Sequence, residues 1–503
     1  MNIKKDYSKI IFLVILLWYA AGNIIWWFLN TPIIPYDISA LHFNDIFVKD
    51  ALFTNAPLLT WIMKFMFYIF GKEYFDLIII FINYIFFTIA LFFIYKLGTL
   101  LKNRETGVIS MILFALTPAI YGMSRQFGAL EYHITAAIIL NIYCLLKTNC
   151  FKDRKWTILY GLSTGFGLLI KDEFLAYCIV PFLFVVFKSF GDGVTKTKAL
   201  NIIISIFLGC LSAGCHYFRD PIIIKVLTDF SRNQVESLFT FKNMRVMTLG
   251  LWENLLSPPI FIIFAAGLIW FVFKYKNKYK NLILLWILVP WLGIILMPHF
   301  KLPEYGAGFI PAIILIAALF TAHIKRQNIK NILLSLIIIA GIFQYFWFSY
   351  APDKNIFQLE YRYKKYIVRY FDLSYRNIIY NPIIGRDAKK LTQYLKLNYP
   401  GKVFYIFDRY NGNNQILYTL FRLNDIPHVY NLEYFEKHTD MAISAYQKNF
   451  ENVLIENFIP EDKDLYEKIS AIQEDINKNF RIAENLTDKY FFKALILERI
   501  NNN

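Results

Sequence analysis

Long apolar runs separated by short basic loops fill the chain up to about residue 350. A bilayer core of about 30 Å is crossed by a helix of about 20 mostly apolar residues, so runs of this length predict transmembrane helices. The pattern predicts a polytopic α-helical membrane protein with about eleven spans. The predicted spans are residues 10–29, 76–96, 106–123, 129–146, 156–170, 174–187, 200–217, 257–273, 281–298, 306–322 and 331–349.

The remaining residues, 351–503, contain frequent charged residues and no apolar run long enough to cross a bilayer. Their patterning predicts short alternating elements. We therefore divide the chain into a transmembrane domain, 1–350, and a small α/β or α+β domain, 351–503. The predicted elements are helices at 387–398 and 415–423 and strands at 402–407, 453–456 and 490–499.

Lysine and arginine residues are distributed unequally between the two sets of alternating loops. One set carries three or four in every loop, whereas the short loops of the other set carry one each: Arg125, Lys171 and Lys301. Cytoplasmic loops are enriched in basic residues, so the first set is predicted to be cytoplasmic. This places the N-terminus in the cytoplasm and the C-terminal domain outside a plasma membrane.

The first long outer segment, from about residue 30 to 75, contains Asp37 and two apolar stretches. Leu41–Phe53 is amphipathic, and Pro57–Phe70 is rich in aromatic residues and methionine. Both stretches are typical of helices that lie in the membrane interface rather than cross it. Because the long loops lie on the outer side and the inner loops are short, the functional surface is predicted to be on the outer side.

Composition agrees with a membrane protein and excludes some other classes. The chain is 57% hydrophobic and 18% charged, with a net charge of +16. The basic residues form clusters between apolar runs, which argues against a nucleic-acid partner and favours contact with membrane lipids. Five cysteines without a C-x-x-C pair indicate neither a disulfide framework nor a zinc site.

Ionisable residues at the predicted outer ends of spans are candidates for function, because charge at membrane depth is costly. There a carboxylate can activate a hydroxyl group while cations hold a phosphate. The acidic candidates are Asp37 and Glu131, and the basic candidates are Arg125, Lys171, Arg219 and Lys301.

Five short segments with distinctive residues occur in order between about residues 30 and 320. They are Ile34-Pro35-Tyr36-Asp37; Asn55-Ala56-Pro57-Leu58-Leu59 running to Phe70-Gly71; Thr117-Pro118 followed by Ser124-Arg125 and Glu131; the glycine-rich stretch from Gly161 to Lys171; and Lys301-Leu302-Pro303-Glu304-Tyr305 with Pro311. With these segments, the sequence resembles the GT-C class of membrane glycosyltransferases, which includes protein O-mannosyltransferases and the aminoarabinose transferase of lipid A.

The resemblance implies a polyprenyl-phosphate sugar donor in the bilayer and transfer of its sugar to an outer acceptor, which can be a protein, a lipid or a glycan. Asp37 would be the general base, and the transfer would invert the configuration at the anomeric carbon of the sugar. Glu131 would orient the acceptor, position a cation or help to bind a metal. The cations Arg125, Lys171, Lys301 and Arg219 would bind the donor phosphate.

The sequence also departs from the family pattern. Many members have Asp-Glu in the first outer loop, whereas Ile38 follows Asp37 here, and Glu131 stands where aspartate is more usual. The late motif often has an arginine before its tyrosine, but this chain has Glu304. These differences leave the use of a divalent metal and the exact donor open.

Each candidate residue also has a structural alternative. Asp37 can act as a helix N-cap, and Glu131 can be the partner that neutralises Arg125. Lys171 and Lys301 can be boundary lysines whose ammonium groups reach the interface, and Arg219 can be an interfacial anchor.

Two other classes of protein remain as alternatives to the enzyme. A lipid or solute transporter or flippase would show internal repeats and broken helices in matching halves, but no convincing repeat is found. A cell-envelope assembly factor would recruit its partner through the C-terminal domain, and would not depend on Asp37.

Overall fold

The structure is a computed structural model of the 503-residue chain. It describes residues 7–30, 57–125, 130–191, 193, 195–217, 244, 248, 251, 255–296, 303–350, 359–363, 366–370, 392–398, 404–407, 428–430, 452–456, 480–485 and 494–499.

The first of two compact units contains most of the helices. In the described part of the chain, the helices in order are α1 (Ser8–Asn30), α2 (Pro57–Phe70), α3 (Phe75–Leu101), α4 (Arg104–Ala115), α5 (Pro118–Met123), α6 (Leu130–Lys147), α7 (Arg154–Ile170), α8 (Phe174–Gly191), α9 (Lys196–Tyr217), α10 (Pro258–Lys274), α11 (Lys280–Leu296), α12 (Ile310–His323) and α13 (Gln327–Tyr350). Lys72–Tyr74 and Pro303–Phe309 form short 3₁₀ helices.

Every predicted span corresponds to helical structure, with one correction. The predicted span 106–123 is not one helix but two, α4 and α5, and Thr117 between them is extended. Pro118 is the first residue of α5. Proline lacks the N–H group that would continue α4, and its ring disfavours a helical conformation at the preceding residue.

Seven helices in the described part of the chain are long and apolar enough to cross a membrane. Three shorter apolar helices, α2, α10 and α11, accompany them. The chain is therefore a multi-pass membrane protein, while the total of eleven spans and the orientation of the termini stay predictions. The predicted helix Pro57–Phe70 is confirmed as α2, and Leu41–Phe53 lies outside the described residues.

The core of the helical unit surrounds α12. Its residues from Ala312 to Leu319 are almost completely buried, and α4, α10 and α11 pack around it. By contrast, α13 exposes Ile332, Leu336 and Ile339. Apolar side chains on the outside of a membrane protein face lipid rather than water, so these residues are placed in the hydrocarbon environment.

Glycine residues allow α7 and α9 to approach closely. A Cβ atom added at Gly161 would lie 2.6 Å from the Ser205 carbonyl oxygen, and one at Gly165 would lie 2.3 Å from the Ser212 Cβ atom. Small residues at helix contacts strengthen packing in membranes, where the hydrophobic effect does not drive helix association. The glycine-rich stretch before Lys171 therefore serves helix packing.

Two glycine-to-alanine substitutions are expected to change stability in opposite directions. Gly165→Ala forces α7 and α9 apart and should lower the free energy of unfolding by about 1–3 kcal/mol. Gly293 in α11 has no atom within 4 Å of an added Cβ, so Gly293→Ala should raise stability by up to about 1 kcal/mol through helix propensity. Thermal unfolding of the two purified variants measures the difference. Equal shifts in melting temperature would show that the contact between α7 and α9 is loose.

The described residues after α13 include seven strands. The hairpin of β1 (Leu359–Tyr363) and β2 (Tyr366–Tyr370) is antiparallel. A five-stranded mixed sheet has the order β4-β3-β5-β7-β6, with β3 parallel to both β4 and β5, and β7 antiparallel to β5 and β6. The strands of this sheet are β3 (Phe404–Phe407), β4 (His428–Tyr430), β5 (Asn452–Glu456), β6 (Phe480–Asn485) and β7 (Ala494–Arg499).

The predicted strands at 402–407, 453–456 and 490–499 are confirmed as β3, β5 and β7. Residues 392–398 form the described part of the predicted helix 387–398, and the predicted helix 415–423 lies outside the described residues. The five-stranded sheet belongs to the second compact unit. The domain boundary at residue 350 and the outer location of the sheet stay predictions.

Candidate functional site

Three of the six predicted site residues lie in the described part of the chain. Glu131, Arg125 and Lys171 are all buried, with 6%, 3% and 8% of their surfaces exposed. Asp37, Arg219 and Lys301 lie outside the described residues. The geometry of the site is therefore built from the first three residues and their neighbours.

Lys171 forms a pair of salt bridges with two glutamates. Its Nζ atom lies 2.7 Å from Oε1 of Glu131 and 2.9 Å from Oε2 of Glu173. The side chains of Lys171 and Glu131 are 10% and 8% exposed, whereas that of Glu173 is 40% exposed. The structural alternative for Glu131 had Arg125 as its partner, whereas the described ion pair of Glu131 is with Lys171.

The position of Lys171 follows from the way α7 ends. Lys171 is the C-cap residue, with an extended backbone, and its N–H group donates to the Gly167 carbonyl oxygen at 3.1 Å. The Lys171 carbonyl oxygen then accepts the N–H group of Phe174, the first residue of α8, also at 3.1 Å. An added Cβ at Gly167 would lie 2.3 Å from the Phe174 ring. Gly167 thus permits a tight turn that directs Lys171 toward the first turn of α6.

The 3₁₀ segment Pro303–Phe309 closes the other side of this cluster. The Lys171 ammonium lies 5.3 Å from the centre of the Tyr305 ring, a cation–π distance. The Tyr177 hydroxyl donates a hydrogen bond to the Tyr305 carbonyl oxygen, and the Trp286 indole N–H donates to the Gly308 carbonyl oxygen at 3.1 Å. The glycine-rich motif and the late tyrosine motif, about 130 residues apart, therefore meet at Lys171.

The charges in this cluster are unbalanced. Burial opposes the charge of Lys171, but the Glu131 and Glu173 carboxylates hold its pKa well above the ordinary lysine range. The partial burial of Glu173 raises the pKa of its carboxyl group, against the lowering effect of Lys171. When all three groups are ionised, the Lys171 ammonium and the two carboxylates carry a formal charge of −1 together, so the charge of Lys171 is already neutralised before an anion binds.

Arg125 has a different environment, formed by the C-terminal end of α1 and the last turns of α13. Its Nε atom donates to Oδ1 of Asn23 at 2.9 Å, and Nη1 donates to the Ser349 hydroxyl at 2.8 Å. The guanidinium also lies 5.2 Å from the Trp26 ring centre and 5.1 Å from that of Tyr345. Among the described residues, the partners of this cation are thus neutral polar groups and aromatic faces.

The Nη2 atom of Arg125 is buried and has no hydrogen-bond partner among the described residues. The described ion pairs do not include Arg125 either. A buried guanidinium without an anionic partner is costly, and it binds carboxylate or phosphate oxygens strongly. The geometry is compatible with the predicted contact to the donor phosphate, which stays a prediction.

A buried polar network on the first turn of α6 was not singled out from the sequence. The amide nitrogen of Asn83 donates to the Ser124 carbonyl oxygen at 2.6 Å, and Oδ1 of Asn83 lies 2.7 Å from Nε2 of His133. The Tyr132 hydroxyl donates to the Asn83 carbonyl oxygen at 2.9 Å. This network fixes the turn that presents Glu131. The sequence signal for this network was the presence of an asparagine, Asn83, and a histidine, His133, within predicted apolar spans.

Other contributors to the site were also missed. Asn23 and Ser349, which bind Arg125, and Tyr177, which positions Tyr305, lie within apolar helices and carry no motif. In the described part of the chain, no three His, Cys, Asp or Glu side chains are close enough together to hold a metal ion.

Comparison with protein families gives one match to part of the chain. Residues 54–214 match the family model described as dolichyl-phosphate-mannose-protein mannosyltransferase. This range contains Arg125, Glu131 and Lys171. Comparison with curated protein sequences gives no match.

Solved structures with similar folds match most of the chain at low sequence identity. ArnT from Cupriavidus metallidurans, bound to undecaprenyl phosphate, has a TM-score of 0.63 at 10% identity, and the match covers 99% of each chain. The oligosaccharyltransferase AglB from Archaeoglobus fulgidus, with an inhibitory peptide and a dolichol-phosphate, has a TM-score of 0.54 at 12% identity, covering 90% of this chain and 70% of that chain.

The arabinofuranosyltransferase AftD from mycobacteria has a TM-score of 0.52 at 11% identity, covering 97% of this chain and 40% of that chain. Identities this low establish the fold and not the activity. The fold and the partial family match together confirm the resemblance drawn from the five sequence segments. The chain has the GT-C fold.

Proposed function

We propose that this protein is a glycosyltransferase that moves a sugar from a polyprenyl-phosphate donor to a hydroxyl group of an acceptor on the outer face of the membrane. The observation that carries the proposal is the buried Glu131–Lys171 pair at one end of the helical unit, within the range that matches the mannosyltransferase family model. Two proteins of the same fold, ArnT and AglB, hold undecaprenyl phosphate and a dolichol-phosphate.

Asp37 is the proposed general base. Its carboxylate takes the proton of the acceptor hydroxyl while the oxygen attacks the anomeric carbon of the donor sugar. The bond between that carbon and the phosphate oxygen breaks, and its electron pair leaves with the lipid phosphate. A single displacement of this kind inverts the anomeric configuration. The general base is expected to contribute about 10²–10⁴-fold to the rate.

Lys171 is proposed to bind the leaving phosphate by exchanging a carboxylate. Glu173 is the partner that it releases more easily, since the Glu173 side chain is 40% exposed and water can solvate the freed carboxylate. Glu131, at 8% exposure, remains paired or turns toward the acceptor hydroxyl. Because Lys171 begins neutralised, the additional positive charge for the phosphate is assigned to Arg125, Lys301 and Arg219.

The proposal is tested with purified protein and a panel of polyprenyl-phosphate sugars carrying a radiolabel in the sugar. Membrane extract supplies acceptors. At least one donor should lose its label from the lipid fraction in a time-dependent and protein-dependent way. No turnover with any donor, from folded protein, would contradict the proposal and favour the transporter or assembly-factor alternatives.

A further inference from the structure

A second candidate site lies between the end of α8 and the loop that joins α10 to α11. It is a cavity of about 560 Å³ that opens to the protein surface. None of the six predicted site residues lines it. Its lining residues are Phe184, Phe187, Lys188, Tyr275, Lys276, Asn277, Lys278, Lys280 and Asn281.

Four lysines and no acidic residue line this cavity. Among described residues their partners are neutral: Lys188 Nζ donates to the Lys278 carbonyl oxygen at 3.2 Å, and Lys280 Nζ donates to the Val272 carbonyl oxygen. Lys278 Nζ lies 4.9 Å from the centre of the Tyr279 ring. The described ion pairs include none of the four lysines. The cavity therefore concentrates positive charge that the described residues do not neutralise.

The cavity lies at the end of α8 opposite to the Lys171 cluster. Lys171 precedes the first residue of α8, and Lys188 is in its last turn. A helix rises by about 1.5 Å per residue, so the two lysines are about 25 Å apart along α8. A ligand in this cavity would therefore occupy the other end of the helical unit from the proposed site of transfer.

The wall of the cavity that α8 contributes is apolar. Phe184 and Phe187 lie one turn apart or less on this membrane-spanning helix, and Phe187 is 69% exposed. A basic rim beside an exposed apolar helix face matches an amphipathic anion better than a free inorganic one. In particular, it matches a phospholipid, whose phosphate lies at the interface and whose acyl chain lies along the helix.

We propose that this cavity binds the headgroup of an anionic glycerophospholipid of the surrounding membrane leaflet. Lys188, Lys276 and Lys278 contact the phosphate oxygens, and an acyl chain lies against Phe184 and Phe187. The alternative is that these lysines only set the orientation of the helices in the membrane, because cytoplasmic loops are enriched in basic residues even where no ligand binds. The two interpretations differ in whether the position of the lysines matters.

Native mass spectrometry of the full-length protein in detergent tests the proposal, with phosphatidylglycerol added as the anionic lipid and phosphatidylcholine as the matched zwitterionic one. The wild type should bind phosphatidylglycerol about tenfold more tightly. The variant Lys188→Gln/Lys276→Gln/Lys278→Gln should lose this preference, and Phe187→Ala should weaken binding of both lipids.

The matched control is Lys152→Gln/Lys155→Gln/Lys325→Gln. It removes three exposed lysines at the same end of the helices as the cavity, two in other loops and one, Lys155, in the first turn of α7. The control should bind phosphatidylglycerol within about twofold of the wild type. If it loses as much affinity as the cavity variant, the attraction is diffuse and the proposal fails. The proposal also fails if inorganic phosphate displaces the lipid at equal concentration, because the acyl chain would then contribute nothing.

A misfolded cavity variant would give a false loss of binding. The triple replacement Lys188→Arg/Lys276→Arg/Lys278→Arg addresses this, because it keeps the charges while changing the side chains. It should retain the preference for phosphatidylglycerol to within about threefold. Loss of the preference in this variant, with an unchanged melting temperature, would overturn the assignment of the cavity as a headgroup site.

Discussion

Replacing Asp37 with asparagine should reduce sugar transfer by about 10²–10⁴-fold, while expression and membrane insertion stay near the wild-type level. The substitution removes the proposed base but almost no volume, and a loss of this size is typical of a general base. The measurement is the initial rate of label release from the best donor of the panel.

The matched control is Asp172→Asn. Asp172 is exposed, and its Oδ1 atom accepts the N–H group of Glu173 at 3.0 Å, a contact that asparagine can keep. This variant should retain transfer within about threefold of the wild type. If Asp37→Asn keeps more than a tenth of the wild-type rate, Asp37 is not the base and its role is that of a helix cap.

Replacing Lys171 with methionine should destabilise the protein by about 3–5 kcal/mol, because the buried Glu131 carboxylate would lose the ammonium group that lies 2.7 Å from it. The double variant Glu131→Gln/Lys171→Met should recover part of this loss, since its buried groups are uncharged. Thermal unfolding of both variants measures the difference. Lys171→Met should also raise the donor KM or lower kcat.

A second ion pair in the chain provides the comparison. Lys330 Nζ lies 2.8 Å from Oε1 of Glu105, but the Glu105 side chain is 34% exposed. Lys330→Met leaves a carboxylate that water can solvate, so this substitution should lower the free energy of unfolding by about 1 kcal/mol or less. If Lys171→Met and Lys330→Met lower the free energy of unfolding by the same amount, the carboxylate of Glu131 is not in a buried environment.

The helices were predictable from the sequence because membrane spans have a strong local signal. Apolar runs of the required length placed the spans within a few residues of the observed helices, and α6 and α7 illustrate this. The break at Thr117-Pro118 was missed because the apolar run continues across it. The prediction relied on length and gave too little weight to the proline, which removes a helical hydrogen bond.

The sheet was only partly predictable. The strands β3 and β5 are apolar runs next to turn residues, but β4 has three residues and β6 carries charged residues, so neither has a strong pattern. Their assignment depends on pairing with residues distant in sequence, as β4 pairs with β3 and β6 with β7. Such long-range contacts are not encoded in local periodicity.

The candidate site was predictable as a set of charges but not as a set of contacts. Motifs identified Glu131, Arg125 and Lys171, yet they did not show that Lys171 is the partner of Glu131. That pairing depends on the close approach of α6, α7 and the 3₁₀ segment Pro303–Phe309. The same applies to Arg125, whose partners on α1 and α13 are separated from it by more than 100 and 220 residues.

A donor with two labels distinguishes sugar transfer from its alternatives. A polyprenyl-phosphate sugar is prepared with ¹⁴C in the sugar and ³²P in the phosphate, and both labels are followed after incubation with the purified protein and acceptor. Sugar transfer should move ¹⁴C to the acceptor while ³²P remains in the lipid as polyprenyl phosphate. Movement of both labels together would mean transfer of a phosphosugar, and retention of both on the lipid would mean no transfer; either result would contradict the proposed function.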